Sequence, residues 1–406
     1  MMNIKPMKKR RKRLFKPKRG YKIRHRDDDI FKTVASVLGF AVLVFVGFSA
    51  GKPIFEYLDR SANQPSSSAV TEVTRTAPQQ TRPVPSETSV THERTSAVHP
   101  QMELVDEGMA MMLDTSALMS RDTLSEALEK ISVQPDISGA IIPMKTAGGT
   151  YWYATDNSVV ATAERSPVKG RLTAAEIADE CITHGLRPMA YVSVLTDNNV
   201  YGSERIGAYH TDDGRAWFDG NPKTGGKPWL SPDNEDAQTL LCDLMTELGM
   251  AGFSDIICDD FIYPGFSSSD LGYVGEKYAP GSDRGKYLTA LARKMTAAAQ
   301  AANSDTIIVL RAGEIVSGKS EIYNAGGFSA MRAAVSLDDR DTFSIEGYGE
   351  MSRYEKINAV FALVKDSTGD TQVMPMIGLG GLFAEEVGNA LAPMGYDKWL
   401  IVTTGT

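Results

Sequence analysis

Short apolar runs alternate with longer amphipathic stretches over residues 101–406. The runs have the length and composition of buried strands, and the stretches carry apolar positions three and four residues apart, as helices do. Strands are predicted at 109–113, 139–144, 189–195, 254–260, 307–312, 343–345, 373–377 and 399–402. Most of these strands are separated by a predicted helix, which indicates β/α units.

Capping residues mark several helix starts. Ser120 precedes one helix, and Ser231 followed by Pro232 begins another. Thr173 and Glu176 have the T-x-x-E spacing of a capping box. Further helices are predicted at about 283–302, 352–365 and 383–392.

Eight strands with helices between most of them favour a parallel sheet closed into a (β/α)8 TIM-type barrel over residues 101–406. A doubly wound open sheet is the alternative. It would be favoured by a glycine-rich phosphate loop after the first strand, and no G-x-G-x-x-G occurs there.

Residues 33–51 form an uncharged apolar run of nineteen residues between Lys32 and Lys52. As a helix the run would be roughly 28 Å long, close to the hydrocarbon thickness of a bilayer, so it predicts a single transmembrane helix. A cleaved signal peptide and a buried core helix are the alternatives. The small residues Ser49 and Ala50 favour the signal peptide, whereas the long basic leader favours the anchor.

Charge divides the chain at this run, although composition as a whole is that of a folded protein, with 42% hydrophobic residues. Residues 1–32 hold 14 of the 43 basic and three of the 51 acidic residues, a net charge of +11, which leaves −19 for the rest. Because basic segments resist translocation, residues 1–32 are predicted to be a cytoplasmic tail and the barrel to be extracellular, anchored to the cell membrane. DNA binding by the tail alone is a less favoured alternative.

Residues 52–100 are predicted to be a disordered linker. Positions 61–100 contain seven Ser, seven Thr and five Pro but no Leu, Ile, Phe, Tyr or Trp. Such a composition buries too little apolar surface to offset the conformational entropy of folding. The linker would let the barrel act away from the membrane surface.

Carboxylates dominate the predicted carboxyl ends of the strands, where barrel active sites lie. The residues at or near these ends are Asp114, Lys145, Asp197, Asp259, Asp260, Arg311, Glu314 and Glu346. Pairs of carboxyl groups are what glycoside cleavage requires. Asp259 and Asp260 are neighbours, so in β geometry only one faces the barrel axis. Capping of the next loop or pairing with Arg311 is the structural alternative for both.

Aromatic residues near the same ends favour a carbohydrate ligand, since sugar faces stack on flat rings. Trp152, Trp229 and Tyr263 are the candidate substrate-binding rings, with ordinary loop packing as the alternative. No H-E-x-x-H or C-x-x-C spacing occurs, so no metal or other cofactor is predicted. The acidic charge of residues 33–406 disfavours nucleic acid as a partner and suits a neutral or cationic glycan.

Residues 228–264, which end in GFSDIICDDFIYP, resemble a glycosyl hydrolase domain family of bacterial proteins related to amylase-like barrels. The family has G-F-D-E-I-x-x-D-Y-x-R-F-P there, and ISGAIIPMKTAGG and GLRPMAYVSVLTD are similar to its second and third strand segments. The resemblance implies a barrel with Asp259, Lys145 and Asp197 in its cleft. By analogy with polysaccharide-cleaving barrels, Glu314 is the first choice for the second carboxylate and Glu346 the second.

Three positions depart from the family pattern: Pro143 stands in place of Asp, and Tyr191 and Ile262 in place of Arg. They leave two functions open. The first is a glycoside hydrolase acting on a cell-envelope or exopolysaccharide glycan, with Asp259 as nucleophile or base, Glu314 as general acid and Asp260 tuning their ionisation. The second is a non-catalytic glycan-binding or envelope-scaffolding protein that keeps the barrel.

Overall fold

A computed structural model describes residues 108–155, 171–197, 207–325, 328, 331–369, 373–380 and 384–402. The predicted tail 1–32, transmembrane helix 33–51 and linker 52–100 lie outside the described residues. Within the described ranges, no helix is both long enough and apolar enough to cross a membrane.

Eight parallel strands close into a barrel. The described strands are β1 Gly108–Met112, β2 Ile137–Thr146, β3 Thr150–Tyr151, β4 Arg187–Ser193, β5 Asp255–Asp259, β6 Asp305–Arg311, β7 Arg332–Asp338, β8 Val373–Gly378 and β9 Lys398–Ile401. The order in the sheet is β1-β9-β8-β7-β6-β5-β4-β2, and β1 also pairs with β2, which closes the ring. The short antiparallel strand β3 extends β2 as a hairpin.

Helices follow most strands and cover the outside of the barrel, so the predicted (β/α)8 architecture is confirmed. The described helices are α1 Arg121–Ser132, α2 Ala174–Thr183, α3 Glu235–Met250, α4 Ser268–Val274, α5 Gly285–Ala301, α6 Ala312–Val316, α7 Glu321–Asn324, α8 Arg353–Thr368 and α9 Ala384–Leu391. Ser120 caps α1, and Thr173 with Glu176 forms the predicted capping box of α2. The helix predicted to start at Ser231 begins later, at Glu235, because the Asn234 side chain is the actual cap.

The sixth predicted strand, 343–345, was wrong. These residues lie in the loop after β7, and the strand itself is Arg332–Asp338. This strand is rich in small residues, whereas the Phe343–Ile345 triplet is apolar but too short to cross the barrel wall. Phe343 packs instead against the ring of Tyr348, with 5.1 Å between ring centroids.

Two features set the geometry of the barrel wall at β2. Pro143 lies inside β2, and the pairing of β2 with β4 shifts register between Pro143 and Lys145. Proline has no N–H to donate to the ladder, so a bulge at this position is expected. Gly139 lies near the amino end of β2. A Cβ at this position would lie 2.9 Å from the Cβ of Ala110, so glycine allows β1 to approach β2 closely.

Candidate active site

The barrel interior changes from apolar to polar toward the carboxyl ends of the strands. Side chains alternate along each strand, so every second residue faces the axis. The axial apolar cluster is Ala110, Met112, Ile141, Met189, Ile257, Ile307, Val309, Ala334, Met376 and Leu400. The same faces continue with Lys145, Ser193, Asp259, Arg311 and Asp338, which form a polar layer at the mouth of the barrel.

Asp259 is an acid of this layer with hydrogen bonds to both carboxylate oxygens. It is buried, with 4% of its surface exposed, at the last position of β5. Its Oδ1 accepts hydrogen bonds from Arg311 Nη2 at 2.9 Å and from the Asp260 amide at 2.6 Å. Its Oδ2 accepts one from the Tyr191 hydroxyl at 2.7 Å. Both oxygens are therefore fixed by donors from three parts of the chain.

Asp260 departs from β geometry. Its φ is +58°, in the left-handed region, so its side chain does not turn away from the axis as strand alternation would require. Its Oδ1 accepts from Arg311 Nη2 at 3.0 Å, and its Oδ2 accepts from Ser193 Oγ at 2.6 Å and Thr196 Oγ1 at 3.1 Å. The backbone turn is what brings both neighbouring carboxylates to one guanidinium.

Arg311, at the end of β6, is the cation between the two acids. One guanidinium pairs with two carboxylates. The cluster therefore has a net charge of minus one when both carboxyl groups are ionised. Burial raises the pKa of Asp259, and the charge of Asp260 raises it further; the charge of Arg311 and the hydrogen bond from Tyr191 oppose this rise. Both aspartates pair with Arg311, which is the structural alternative that the sequence left open against a catalytic role.

Glu314 lies three residues after Arg311, in α6. Among the described residues, its carboxyl group makes no hydrogen bond and no ion pair. Burial raises its pKa above the ordinary value, although the charge of Arg311 opposes the rise. A carboxyl group with a raised pKa and no fixed donor keeps its proton to a higher pH than an ordinary glutamate does, which suits a general acid.

Lys145 and Asp197 form an ion pair in the interior, with Nζ and Oδ2 3.1 Å apart and both side chains fully buried. Lys145 also donates to the carbonyls of Ser193 and Val194. Neither side chain is exposed, so neither contacts a ligand in this arrangement. The pair instead anchors the segment that carries Ser193 and Thr196 toward Asp260.

Glu346 does not lie at a strand end. It is exposed in the loop after β7, because the strand predicted before it is absent. Asp338 takes the strand-end position. Burial alone would raise the pKa of Asp338, but hydrogen bonds from the side chain and backbone of Arg340 hold it below its ordinary value.

The predicted aromatic residues are largely engaged in packing. Trp152 donates from Nε1 to Thr146 at 3.2 Å, and Trp229 donates to Asp219 at 3.0 Å. Tyr263 donates to the Arg284 carbonyl at 2.8 Å, with the Arg284 guanidinium 4.5 Å from its ring centroid. Trp229 and Tyr263 pack against an apolar cluster formed by Tyr209, Trp217, Leu271, Val274 and Tyr278.

Sequence reasoning missed Tyr191, Ser193 and Thr196, which donate to the two aspartates. In the sequence, Tyr191 stands out only as a departure from the arginine of the family pattern. Met189, Tyr191 and Ser193 are two residues apart in the sequence, so their side chains lie on one face of a strand. This alternation is the signal from which Tyr191 and Ser193 could have been found. The family pattern has an arginine on β4, at the position of Tyr191. In this protein the guanidinium belongs to Arg311 on β6, and β5 lies between these two strands.

Two other features of the described residues lie apart from this cluster. No group of three His, Cys, Asp or Glu side chains has the geometry of a metal site in the described part of the chain. A cavity of about 500 Å3 lies at the opposite, amino-terminal ends of β7 to β9. Its basic residues are engaged: Arg332 pairs with Asp255, and Lys365 donates to the Met394 carbonyl.

No family model matches the chain. No curated protein matches it either. The resemblance to the glycosyl hydrolase domain family therefore stays an interpretation of the sequence.

Several solved structures are similar to the chain at low identity. The glycoside hydrolase domain of PgaB (BpsB) from Bordetella bronchiseptica is 13% identical, covers 73% of this chain and 93% of its own, and has a TM-score of 0.46. The pneumococcal virulence factor StrH is 12% identical, with 74% of each chain covered and a TM-score of 0.45. A 2-naphthoyl-CoA reductase is 10% identical, covers 72% of this chain and 47% of its own, and has a TM-score of 0.45. These similarities decide neither activity nor substrate, and the barrel rests on the strand order of this chain.

Proposed function

We propose that the protein is a glycoside hydrolase that cleaves a cell-envelope or exopolysaccharide glycan by carboxylate acid/base chemistry. The observation that carries the proposal is the contrast between two kinds of carboxyl group at one barrel mouth. Asp259 and Asp260 are held by Arg311, while Glu314, three residues from Arg311, has a raised pKa and no hydrogen-bonded partner among the described residues. In such enzymes one carboxyl group acts as the acid and the other as the base because their surroundings give them different pKa values.

In this proposal Glu314 is the general acid that protonates the leaving oxygen. Asp259 is the nucleophile or the base that activates water, and Asp260 with Arg311 tunes its ionisation. Lys145 and Asp197 act as positioning residues because they are fully buried. Direct attack by Asp259 gives retention of the anomeric configuration and water activation gives inversion, so proton NMR of the first product anomer distinguishes the two.

The assignment of Glu314 is tested by leaving-group dependence. Glu314→Gln should lower kcat/KM on a glycan about 10²- to 10⁴-fold, the usual contribution of a general acid. The loss should be much smaller on a 2,4-dinitrophenyl glycoside, because dinitrophenolate leaves without a proton. Equal losses on both substrates would contradict the role of Glu314.

Glu346→Gln is the matched control, because Glu346 was the second candidate and is exposed in the loop after β7. Its kcat/KM should stay within about twofold of wild type on both substrates. The leaving-group pattern in Glu346→Gln instead of Glu314→Gln would transfer the role of general acid to Glu346.

A non-catalytic glycan-binding protein is the second candidate function. The observation that favours it is the burial of Asp259, whose two oxygens are both hydrogen-bonded. A glycan array and a reducing-end assay on the same preparation separate the two functions. Binding without product would support the second candidate.

The proposed location is the cell membrane, with residues 33–51 as a single span, the N-terminus in the cytoplasm and the barrel outside. The uncharged run and the 14 basic residues before it support this topology. Protease added to intact cells should remove the barrel and leave a membrane-bound fragment. Full protection of the barrel, or its release into the medium without protease, would contradict the anchor.

A further inference from the structure

A separate cleft opens on the same side of the barrel as the carboxylate cluster. It has a volume of about 670 Å3 and lies between α8 and α9. Helices of a β/α barrel begin near the carboxyl ends of the strands, so the first turns of α8 and α9 lie at the mouth side. The residues that line the cleft include Asp339, Arg353, Tyr354, Lys356, Glu386 and Asn389.

Two of these side chains present binding groups that the fold does not use. Tyr354, in the first turn of α8, is 46% exposed, so part of its ring is open to a ligand. Within the described part of the chain its ring packs against no other aromatic ring and its hydroxyl makes no hydrogen bond. The amide of Asn389 is also exposed and makes no hydrogen bond to a described residue.

The cleft begins next to the mouth. Asp338 ends β7 and lies within electrostatic range of Arg311, and the next residue, Asp339, lines the cleft. Asp339 Oδ2 accepts a hydrogen bond from the Gly380 amide at 2.9 Å, which ties the start of the loop after β8 to the cleft wall. Consecutive residues of the chain, Asp338 and Asp339, therefore belong to the mouth and to the cleft wall.

Charge in the cleft is balanced. Asp339 and Glu386 are opposed by Arg353 and Lys356, so the lining has no net charge. Such a surface does not select a charged ligand, whereas a free ring and a free amide offer stacking and hydrogen bonding to a neutral sugar.

We propose that the cleft between α8 and α9 is a distal subsite that binds a neutral sugar unit of the glycan, with Tyr354 as its stacking ring and Asn389 as a hydrogen-bonding group. The proposal depends on the proposed function for the class of ligand. It deepens that function, because a distal subsite makes the protein select long chains over short ones.

The test is affinity electrophoresis of the full-length protein in gels that contain glycol chitin, hydroxyethyl cellulose, xylan or laminarin. At least one polysaccharide should retard the wild type. Tyr354→Ala should weaken that retardation on the order of tenfold, the loss expected for one aromatic contact. Tyr354→Phe keeps the ring and should bind as the wild type does, while Asn389→Ala should give an intermediate loss.

Tyr273→Ala is the matched control, because Tyr273 is an exposed tyrosine that does not line the cleft. Its retardation should be unchanged. Equal retardation of the wild type and Tyr354→Ala, or no retardation of the wild type by any of the four polysaccharides, would overturn the subsite.

Hydrolysis is measured separately, so the two proposals fail differently. If Tyr354→Ala weakens retardation but the wild type releases no reducing ends, the subsite stands and the hydrolase function fails. If hydrolysis is present, Tyr354→Ala should lower kcat/KM on hexasaccharides and leave disaccharides unaffected. An equal loss on both lengths would contradict a distal subsite.

Discussion

At the scale of single residues, the network around Asp259 depends on a hydroxyl from the neighbouring strand. Tyr191 is part of the axial face of β4 and donates to Oδ2 of Asp259 at 2.7 Å. A hydrogen bond to a buried charged group is worth more than one between neutral groups. Tyr191 therefore offers a test of whether Asp259 is ionised in the folded protein.

Tyr191→Phe should destabilise the protein by about 1.5–3 kcal/mol at neutral pH, the usual value for a hydrogen bond to a charged group. The loss should be smaller at acidic pH, because a protonated Asp259 needs fewer donors. Urea unfolding at both pH values measures the difference. Tyr323→Phe is the control, since the Tyr323 hydroxyl makes no hydrogen bond within the described residues, and an equal effect of both substitutions would contradict the network.

Glu314 predicts a pH dependence of stability with a definite sign. Its pKa in the folded protein is raised above the ordinary 4.5, mainly by burial, so the folded state holds its proton more tightly than the unfolded state does. The stability contributed by the protonated form is complete below 4.5 and is lost as pH rises through the folded pKa. Glu314→Gln cannot ionise, so its stability relative to wild type should increase from pH 4 to pH 7 in urea unfolding.

Glu355 should give a pH dependence of stability of the opposite sign. Hydrogen bonds from the side chain and backbone of Ser352 lower its pKa, so its favourable contribution is present above its ordinary pKa and is lost as pH falls. Glu355→Gln should therefore lose relative stability from pH 4 to pH 7. The same trend in both variants would show that burial does not control the ionisation of Glu314.

At the scale of elements, closure of the barrel depends on the contact between β1 and β2. Gly139 allows this contact, since a Cβ would lie 2.9 Å from Ala110 Cβ and 3.4 Å from the Arg187 carbonyl oxygen. Gly139→Ala should cost about 1–3 kcal/mol, as overpacking of a tight core does. Urea unfolding measures the cost.

Gly265→Ala is the control for this substitution, because a Cβ at Gly265 would meet no atom within 4 Å. It should change the free energy of unfolding by less than about 0.5 kcal/mol, as surface substitutions usually do. Adding Ala110→Gly to Gly139→Ala should recover part of the loss. If the double variant is no more stable than Gly139→Ala, the contact with Ala110 is not the cause.

The order of elements could be read from the sequence because buried strands of a parallel barrel are short apolar runs and their helices are amphipathic. β7 was the exception, since Ala333, Ala334 and Ser336 give it little contrast with a helix. The site was partly predictable: strand ends located Asp259, Arg311 and Glu314. The left-handed turn at Asp260 was not, because no local rule requires a non-glycine residue to adopt a φ of +58°.

At the scale of the whole molecule, the acidic cluster fits the acidic charge of residues 33–406, which is −19. A segment of this charge repels polyanions, so nucleic acid is an unfavourable ligand for it and a neutral glycan a compatible one. The mouth carries the carboxylates, and the cleft between α8 and α9 lies beside it with balanced charge. Together they describe a barrel that would cleave a polymer at one position and hold it at another.

In the proposed function, Asp259 and its neighbours perform hydrolysis. The most direct measurement is release of reducing ends from bacterial exopolysaccharide and cell-envelope glycan by the purified full-length protein and by Asp259→Asn. We predict product from the wild type and at least a 10³-fold lower rate from Asp259→Asn, because an amide is neither nucleophile nor base. Circular dichroism should show that the variant is folded. Equal rates for the folded variant and the wild type would contradict the role of Asp259. No product from either protein would contradict the hydrolase function.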